Sequence, residues 1–407
     1  MKSKAKKEGG DTAIARVAMR FVLMIGALSL FSDFTHEGAR SILGPYLASV
    51  GATAFVVGAV TGFGEFLGYG LRLVSGRLAD VTGKFWPITI FGYAVQMAAV
   101  PALALTHTWP EAAVLIILER AGRAIRIPPR DVMLSHAAGH IGGYGWTFGI
   151  HQACDQAGAM LGPLIVAVIM GWRGQYHEAF AILLIPAIIN LALVMIAKFL
   201  YPNPEAMETS ADEIQAPERF SSTFWIYMLA GALVAIGFAD YPLVAFHFTK
   251  THSVPTDWIA GFYAVAMAVS GAGSMLFGRL YDRFGFRLLA ILTVVAATFA
   301  PLVFLGSFWP ALFGAAVWGL GMGVHESIIP AALTPLVPRS KRASAFGLFS
   351  SAYGAAWFVG SAAIGFLYDR SLTMAVAFCV VTQLLAVPIF LWLSGKERGL
   401  PRGHPQV

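Results

Sequence analysis

The chain has 407 residues, carries a formal net charge of +6, and is 57% hydrophobic but only 12% charged. Soluble globular chains run at about 25% charged residues, so a water-facing surface is excluded for most of this sequence. Its apolar runs are long enough to cross a bilayer repeatedly. The positive charge is not a nucleic-acid signal, because Lys and Arg gather in short connections and tails, as cytoplasmic segments of a membrane protein do. Cys154 and Cys379 each lie inside an apolar stretch and read as buried small side chains, neither a disulfide nor a metal site. The Lys-rich start (Lys2, Lys4, Lys6, Lys7) precedes an apolar segment with no small-residue cleavage pattern. It reads as an uncleaved first helix with its N-terminus inside.

Twelve spans are predicted. Span one, about residues 15–50, carries Asp33, His36, Glu37 and Arg40 on one helix face. Span two, about 54–76, holds Glu65 among Gly62, Gly64 and Gly68, and a short basic turn from Arg77 to Lys84 leads to span three, about 86–105. After a tight outer loop, span four descends through Arg120, Arg123, Arg126 and Arg130, whose steps of three, three and four stack them on one face. A cation at bilayer depth costs about 2.5–3.5 kcal/mol on insertion scales, so the stripe must face protein or a watery cavity, or reach the headgroups at the helix end. Arg130 is expected to snorkel to the headgroups and Arg126 stands between the two readings. Arg120, the deepest, is the best single pointer to function. Span five, about 145–170, places His151 and Asp155 on one face, and Arg120 and Arg123 are expected to pair with Glu65 or Asp155. Span six covers about 179–200.

Residues 201–222, rich in Pro, Glu and Asp, read as a cytoplasmic linker. It divides the chain into an N-terminal bundle (1–200) and a C-terminal bundle (223–407) that ends in a short basic tail. Spans seven and eight fall near 222–246 and 257–277, a basic turn follows over 279–287, and spans nine to twelve lie near 288–306, 309–333, 343–367 and 372–393. This half is poorer in charge. Asp240 in span seven and Glu326 in span ten are its candidate cavity carboxylates, with Trp318, Tyr263, Tyr353 and Trp357 as aromatic walls.

The two halves repeat. Gly76, Arg77, Leu78, Asp80 and Gly83 recur as Gly278, Arg279, Leu280, Asp282 and Gly285, a spacing of 202. Phe148, Gly149 and Gly162 in span five echo Phe346, Gly347 and Gly360 in span eleven. Such a parallel duplication is a device of transporters. In the repeated loops the glycines permit close helix approach, and Asp80 and Asp282 are placed to accept hydrogen bonds from a helix N-terminus. With Lys84 and Arg283 beside them, they form a candidate gating latch.

Gly76-x-x-x-Asp80-x-x-Gly83-Lys84 resembles the signature loop of the major facilitator superfamily, and Gly158-x-x-x-Gly162-Pro163 resembles the helix-packing motif of its antiporter members. The likeness covers the whole chain and is nearest to bacterial, poorly characterised exporter-like members. One departure stands out: the superfamily's fourth-helix arginine motif has glycine four residues on, where this chain has Ala124, with Gly122 nearer. The resemblance implies an all-α membrane protein of twelve helices in two pseudo-symmetric six-helix bundles. It also implies alternating access, with a substrate site between the bundles.

A carboxylate beside a fixed guanidinium stays ionised, and one that loses that partner can take a proton. Asp33, Glu37, Arg40, Glu65, Arg120, Arg123, His151 and Asp155 are therefore the candidate coupling and substrate groups. The expected function is proton-coupled export of a small anionic, zwitterionic or amphipathic solute, with proton-coupled import as the alternative. A monomer in the inner membrane, both termini cytoplasmic, with no cofactor, metal or nucleic-acid partner, completes the expectation. No His-Glu-x-x-His, Gly-x-Ser-x-Gly or Walker loop is present, so an enzyme is not expected.

Overall fold

Inside hydrocarbon every backbone N–H and C=O must be bonded within the protein, which leaves the helix as the element so apolar a chain can build. In the computed structural model the described residues form helices and short connections, with no strand among them. The structure describes the backbone of residues 2–138, 140–141, 144–204, 220–325, 329–333, 336–337 and 342–397. Side chains are described throughout these except at 2–13, 138, 144–146, 148, 275, 278, 279, 282, 330–331, 342–344 and 397. Most of the predicted linker, residues 205–219, thus lies outside the described residues.

The chain divides into two compact units. The first comprises Met1–Ala52, Phe63–Glu213 and Pro255–Ala264. Its helices are α1 (Lys2–Ser49), most of α2 (Ala54–Thr82), α3 (Phe85–Ala102), α4 (Trp109–Ala138) and α5 (Tyr144–Arg173), followed by α6 (Tyr176–Ile182) and α7 (Leu184–Leu200), which join as one crossing. The second unit comprises Thr53–Gly62, Ile214–Val254 and Val265–Val407. It holds α8 (Ser222–Gly237) with α9 (Tyr241–Thr251), most of α10 (Thr256–Phe284), α11 (Phe286–Ala297) with α12 (Phe299–Leu305), α13 (Phe308–Gly323), the short α14 (Ile329–Leu333), α15 (Arg342–Arg370) and α16 (Leu372–Glu397). Eight of these stretches are long and apolar enough to cross a membrane. The long helices α4, α10 and α15 and the shorter apolar α13 complete six crossings in each half.

The sequence echo between spans five and eleven is an echo of packing. A Cβ on Gly158 or Gly162 of α5 would collide with the Leu30 and Phe34 carbonyls of α1. In the second unit a Cβ on Gly360 of α15 would collide with the Ile236 carbonyl of α8. Each helix therefore lies backbone-to-backbone on the first helix of its own unit, which only glycine allows. The repeated loops also close alike. Gly83 and Gly285 take φ of +63° and +57°, and their N–H groups donate to Ala79 at 2.8 Å and Tyr281 at 2.7 Å.

Helix breaks are matched by side-chain partners. Pro128 in α4 has no N–H for the Ala124 carbonyl, and Ser75 Oγ of α2 donates to that carbonyl at 3.1 Å. Predicted span seven is interrupted between α8 and α9. There the Gly237 carbonyl accepts from Gln383 Nε2 at 3.0 Å, the Ala239 carbonyl accepts from Trp318 Nε1 at 2.8 Å, and Asp240 caps α9. Asp369 of α15 accepts from the N–H groups of Ala54 and Phe55 at 3.1 and 2.9 Å, an anion at the N-terminus of α2.

Replacing Ser75 by Ala orphans the Ala124 carbonyl and is expected to cost about 1–3 kcal/mol. Thermal unfolding of the purified protein in detergent reads this as a lowered midpoint, which Ser75→Thr should largely restore. A midpoint unchanged in Ser75→Ala would mean that the carbonyl has another partner.

Candidate functional site

The first unit holds a buried polar layer built on the crossing of α3 and α4. Gly92 and Gly122 let the two helices touch: a Cβ on either would lie 2.7 or 2.6 Å from the opposite backbone. This contact sets Gln96 of α3 beside Glu119 and Arg126 of α4. Gln96 Nε2 donates to Glu119 Oε1 at 2.9 Å, and Gln96 Oε1 accepts from Arg126 Nε at 2.6 Å. Arg126 also donates to Ser32 Oγ of α1 at 2.6 Å and to the Tyr93 hydroxyl at 3.3 Å, with its guanidinium 4.5 Å from the Tyr93 ring centroid.

Arg120 stands at the centre. Its stem lies over Gly64, where a Cβ would approach Arg120 Cγ to 2.8 Å. Its guanidinium reaches Glu65 Oε1 of α2 at 3.1 Å and His36 Nε2 of α1 at 2.9 Å. Arginine can only donate, so His36 Nε2 is an acceptor and its proton sits on Nδ1, which donates to Glu119 Oε1 at 2.8 Å. His36 is thus a neutral link between a cation and an anion. A cavity of about 20 Å³, room for one water, lies behind it among His36, Arg40, Glu119 and Arg120.

His151 of α5 repeats the arrangement. Arg130 donates to Ser29 Oγ at 3.1 Å, Ser29 bonds His151 Nε2 at 2.6 Å, and His151 Nδ1 faces Asp155 Oδ2 at 3.4 Å. Arg130 also holds Asp131 at 2.8 Å. The expectation that Arg130 snorkels is therefore corrected: it is buried, as is Arg126, because Ser29, Ser32 and Gln96 supply acceptors deep in the unit.

Of the partners expected for Arg120 and Arg123, Glu65 pairs with Arg120, whereas Asp155 pairs with His151. Arg123 instead faces α1, 3.7 Å from Asp33 Oδ1 and 3.8 Å from Glu37 Oε1. Glu37 also accepts from the Tyr263 hydroxyl at 2.5 Å and lies 3.6 Å from Arg40, which is 4.0 Å from Glu65. Asp33, Glu37, Arg40, Glu65, Arg120 and Arg123 thus converge in one network, with His151 and Asp155 adjoining it through Ser29 and Arg130.

The remaining expected residues lie elsewhere. Asp240 caps α9 in the second unit, accepting from the Tyr241 N–H at 3.0 Å. Glu326 lies outside the described residues, and Gly278 and Asp282 are described in backbone only, within α10. Arg77, Asp80, Gly83, Lys84 and Arg283 are exposed at the loop ends, and Gly76 packs on Pro128. Gly158 and Gly162, with Pro163 after them, form the seam with α1. In the second unit Phe238, at the α8–α9 break, gathers Trp318, His325 and Trp357 at ring centroid distances of 5.5, 4.3 and 5.6 Å, and Tyr353 bonds His325 at 2.8 Å. Sequence reasoning passed over Gln96, Glu119, Ser29, Ser32 and Tyr93. A lone amide in the otherwise apolar span three was the one available signal.

The family model described as Major Facilitator Superfamily matches residues 22–360 and 220–406. The chain belongs to the Major Facilitator Superfamily. It is a multi-pass membrane transporter and not an enzyme. It is 38% identical over 410 residues to an uncharacterized protein of Mycobacterium tuberculosis (strain ATCC 25618 / H37Rv), covering 97% of this chain and 99% of the relative. It is 24% identical over 385 residues to an uncharacterized MFS-type transporter of Methanocaldococcus jannaschii, covering 91% and 94%. Among solved structures, a POT family transporter in complex with a thioalcohol-conjugated peptide aligns at TM-score 0.74 and 12% identity, over 94% of this chain and 97% of that one. A bacterial homolog of the human lysosomal transporter Spinster aligns at TM-score 0.71 and 14% identity, over 95% and 98%. These two likenesses show the superfamily fold.

Gln96→Leu removes a hydrogen bond from each of two buried charges, at about 1.5–3 kcal/mol for a bond to a charged group. The expected result is a large drop in unfolding midpoint, against a small one for Tyr93→Phe. Equal midpoints for the two variants would contradict the central place given to Gln96.

Proposed function

We propose that this superfamily member exports a small organic solute in exchange for protons, by alternating access. The observation that carries this reading is the sharing of Arg120 between Glu65 on α2 and His36 on α1. Glu65 is the more open partner, its side chain 19% exposed against 5% for Arg120. A proton taken by Glu65 removes the anion that holds Arg120 toward α2, leaving the guanidinium with His36 and Glu119. Release of that proton restores the pair. Exchange of partners within a fixed set of charges is a two-state element that a proton and a solute can both bias.

Export rather than import is supported by Gly158, Gly162 and Pro163, which resemble the antiporter motif and sit where α5 lies on α1. The basic residues Arg77, Lys84, Arg283, Arg287 and Lys396 fall at one set of helix ends, which supports cytoplasmic termini in a bacterial inner membrane. The protein works as a monomer, one chain supplying both repeats. The loops around Asp80 and Asp282 act as the latch on one access state.

In proteoliposomes with an imposed pH gradient and a trapped pH dye, addition of the transported solute should collapse the gradient. Arg120→Ala and Glu65→Gln should lose this response while still inserting and folding. Wild-type flux in both variants would end the coupling assignment. Asp80→Asn should lower turnover by about tenfold, equivalent to about 1.4 kcal/mol of barrier, with solute affinity kept; an unchanged turnover would count against the latch.

A further inference from the structure

We propose that Arg123 and Asp33 are the docking pair for the head group of a zwitterionic substrate, its anionic group on Arg123 and its ammonium on Asp33. This rests on the transport reading above and narrows the solute class it leaves open.

The cations of the network differ in how they are held and how open they are. Arg120, Arg126 and Arg130 each have at least one polar contact at or below 2.9 Å, and their side chains are at most 8% exposed. Arg40 is as buried, its side chain 4% exposed, with ion-pair contacts to Glu37 and Glu65 at 3.6 and 4.0 Å. Arg123 differs from Arg120, Arg126 and Arg130 on both counts, and from Arg40 in exposure. Its side chain is 21% exposed, and its contacts are at 3.7 and 3.8 Å, well beyond the about 2.7–2.9 Å of a charge-assisted hydrogen bond. Its Nε, like that of Arg120, is buried with no hydrogen-bond partner among the described residues. A guanidinium carries five N–H donors, and leaving them unmet in a buried place is costly.

Asp33 is the matching carboxylate. Its ion-pair contacts, to Arg123 and Arg126, are at 3.7 and 3.8 Å, and it has no hydrogen bond among the described residues. Glu37, by contrast, is held by the Tyr263 hydroxyl at 2.5 Å. One loosely held, partly open cation and one loosely held, buried anion lie side by side and form a dipole next to the more tightly bonded Arg120, Arg126 and Arg130. A separation above about 3.5 Å between such groups leaves room for a polar atom of something else. An inorganic anion would satisfy Arg123 but face Asp33 and Glu37, and a simple amine would face Arg123. A molecule carrying both charges on neighbouring atoms, as an amino acid does, meets each with its opposite. Arg123 offers a planar fork suited to a carboxylate.

The test uses the full chain, purified in detergent, and three probes with one apolar body: L-phenylalanine with both charges, 3-phenylpropionate with the anion alone, and phenethylamine with the cation alone. Binding is read as the rise in unfolding midpoint with probe concentration. L-phenylalanine should act at a concentration about tenfold below either single-charge probe, the size of one charge-assisted hydrogen bond. Arg123→Gln and Asp33→Asn should each remove that advantage, and Arg123→Lys should keep part of it. Equal action of the three probes, no action by any, or an advantage intact in Arg123→Gln would overturn the proposal. If a variant fails to elute as a folded monomer, the ranking of probes on the wild type decides by itself. The readout needs no gradient. Charge-selective binding without pH-driven flux would therefore unseat the exchange mechanism and spare the pair, and flux without that selectivity would do the reverse.

Discussion

The structure of the first unit depends on one constraint: a guanidinium placed at bilayer depth has to be met by protein. Four arginines on a single face of α4 multiply that demand, and no apolar packing can answer it. Nearly every unusual feature nearby is a response. Gly92 and Gly122 bring α3 against α4 so that Gln96 can reach Arg126 and Glu119. Gly64 clears a channel for the Arg120 stem. Ser29 and Ser32 turn α1 into a row of acceptors. The polar layer and the glycine seams are one design, because side chains as short as Ser and Gln bridge only where backbones nearly touch.

Within that layer charge is graded by how firmly each group is held. His36 lies between an arginine donor and a carboxylate and bonds with both ring nitrogens, while His151 bonds Ser29, itself held by Arg130, and faces Asp155. Such links fix α1 to α4 and α5. At the other extreme, Arg123 and Asp33 keep longer contacts, and Arg123 and Glu65 have the more open faces. A transporter needs this gradation. Charges bonded on every side set the geometry, and those bonded loosely are the ones free to change partner.

The second unit answers a different problem. The break between α8 and α9 frees backbone carbonyls, and Gln383 and Trp318 bond to them. Its interior is aromatic, with Phe238 at the break lying against Trp318, His325 and Trp357. The sequence duplication produced two units of like topology with unlike interiors, one ionic and one aromatic. The helix seams and loop turns repeat because they are backbone geometry, and the interiors diverge because side chains are free to.

Composition, apolar periodicity and the repeated glycine loops were sufficient by themselves for a twelve-helix membrane transporter of duplicated plan, since bilayer thickness and backbone hydrogen bonding leave so few alternatives. The arginine stripe and the carboxylates Asp33, Glu37 and Glu65 were legible too, because a charge in an apolar run has to be met by protein or reach the headgroups. What tertiary structure alone decided was who pairs with whom. Asp155 went to His151, Arg123 went to Asp33 and Glu37, and Arg130 was drawn inward instead of out to the headgroups. Helical spacing states which face a residue occupies, but the approach of α3 to α4 at Gly92 and Gly122 determines which residues of another helix meet that face, and hydrogen bonds are decided by fractions of an ångström.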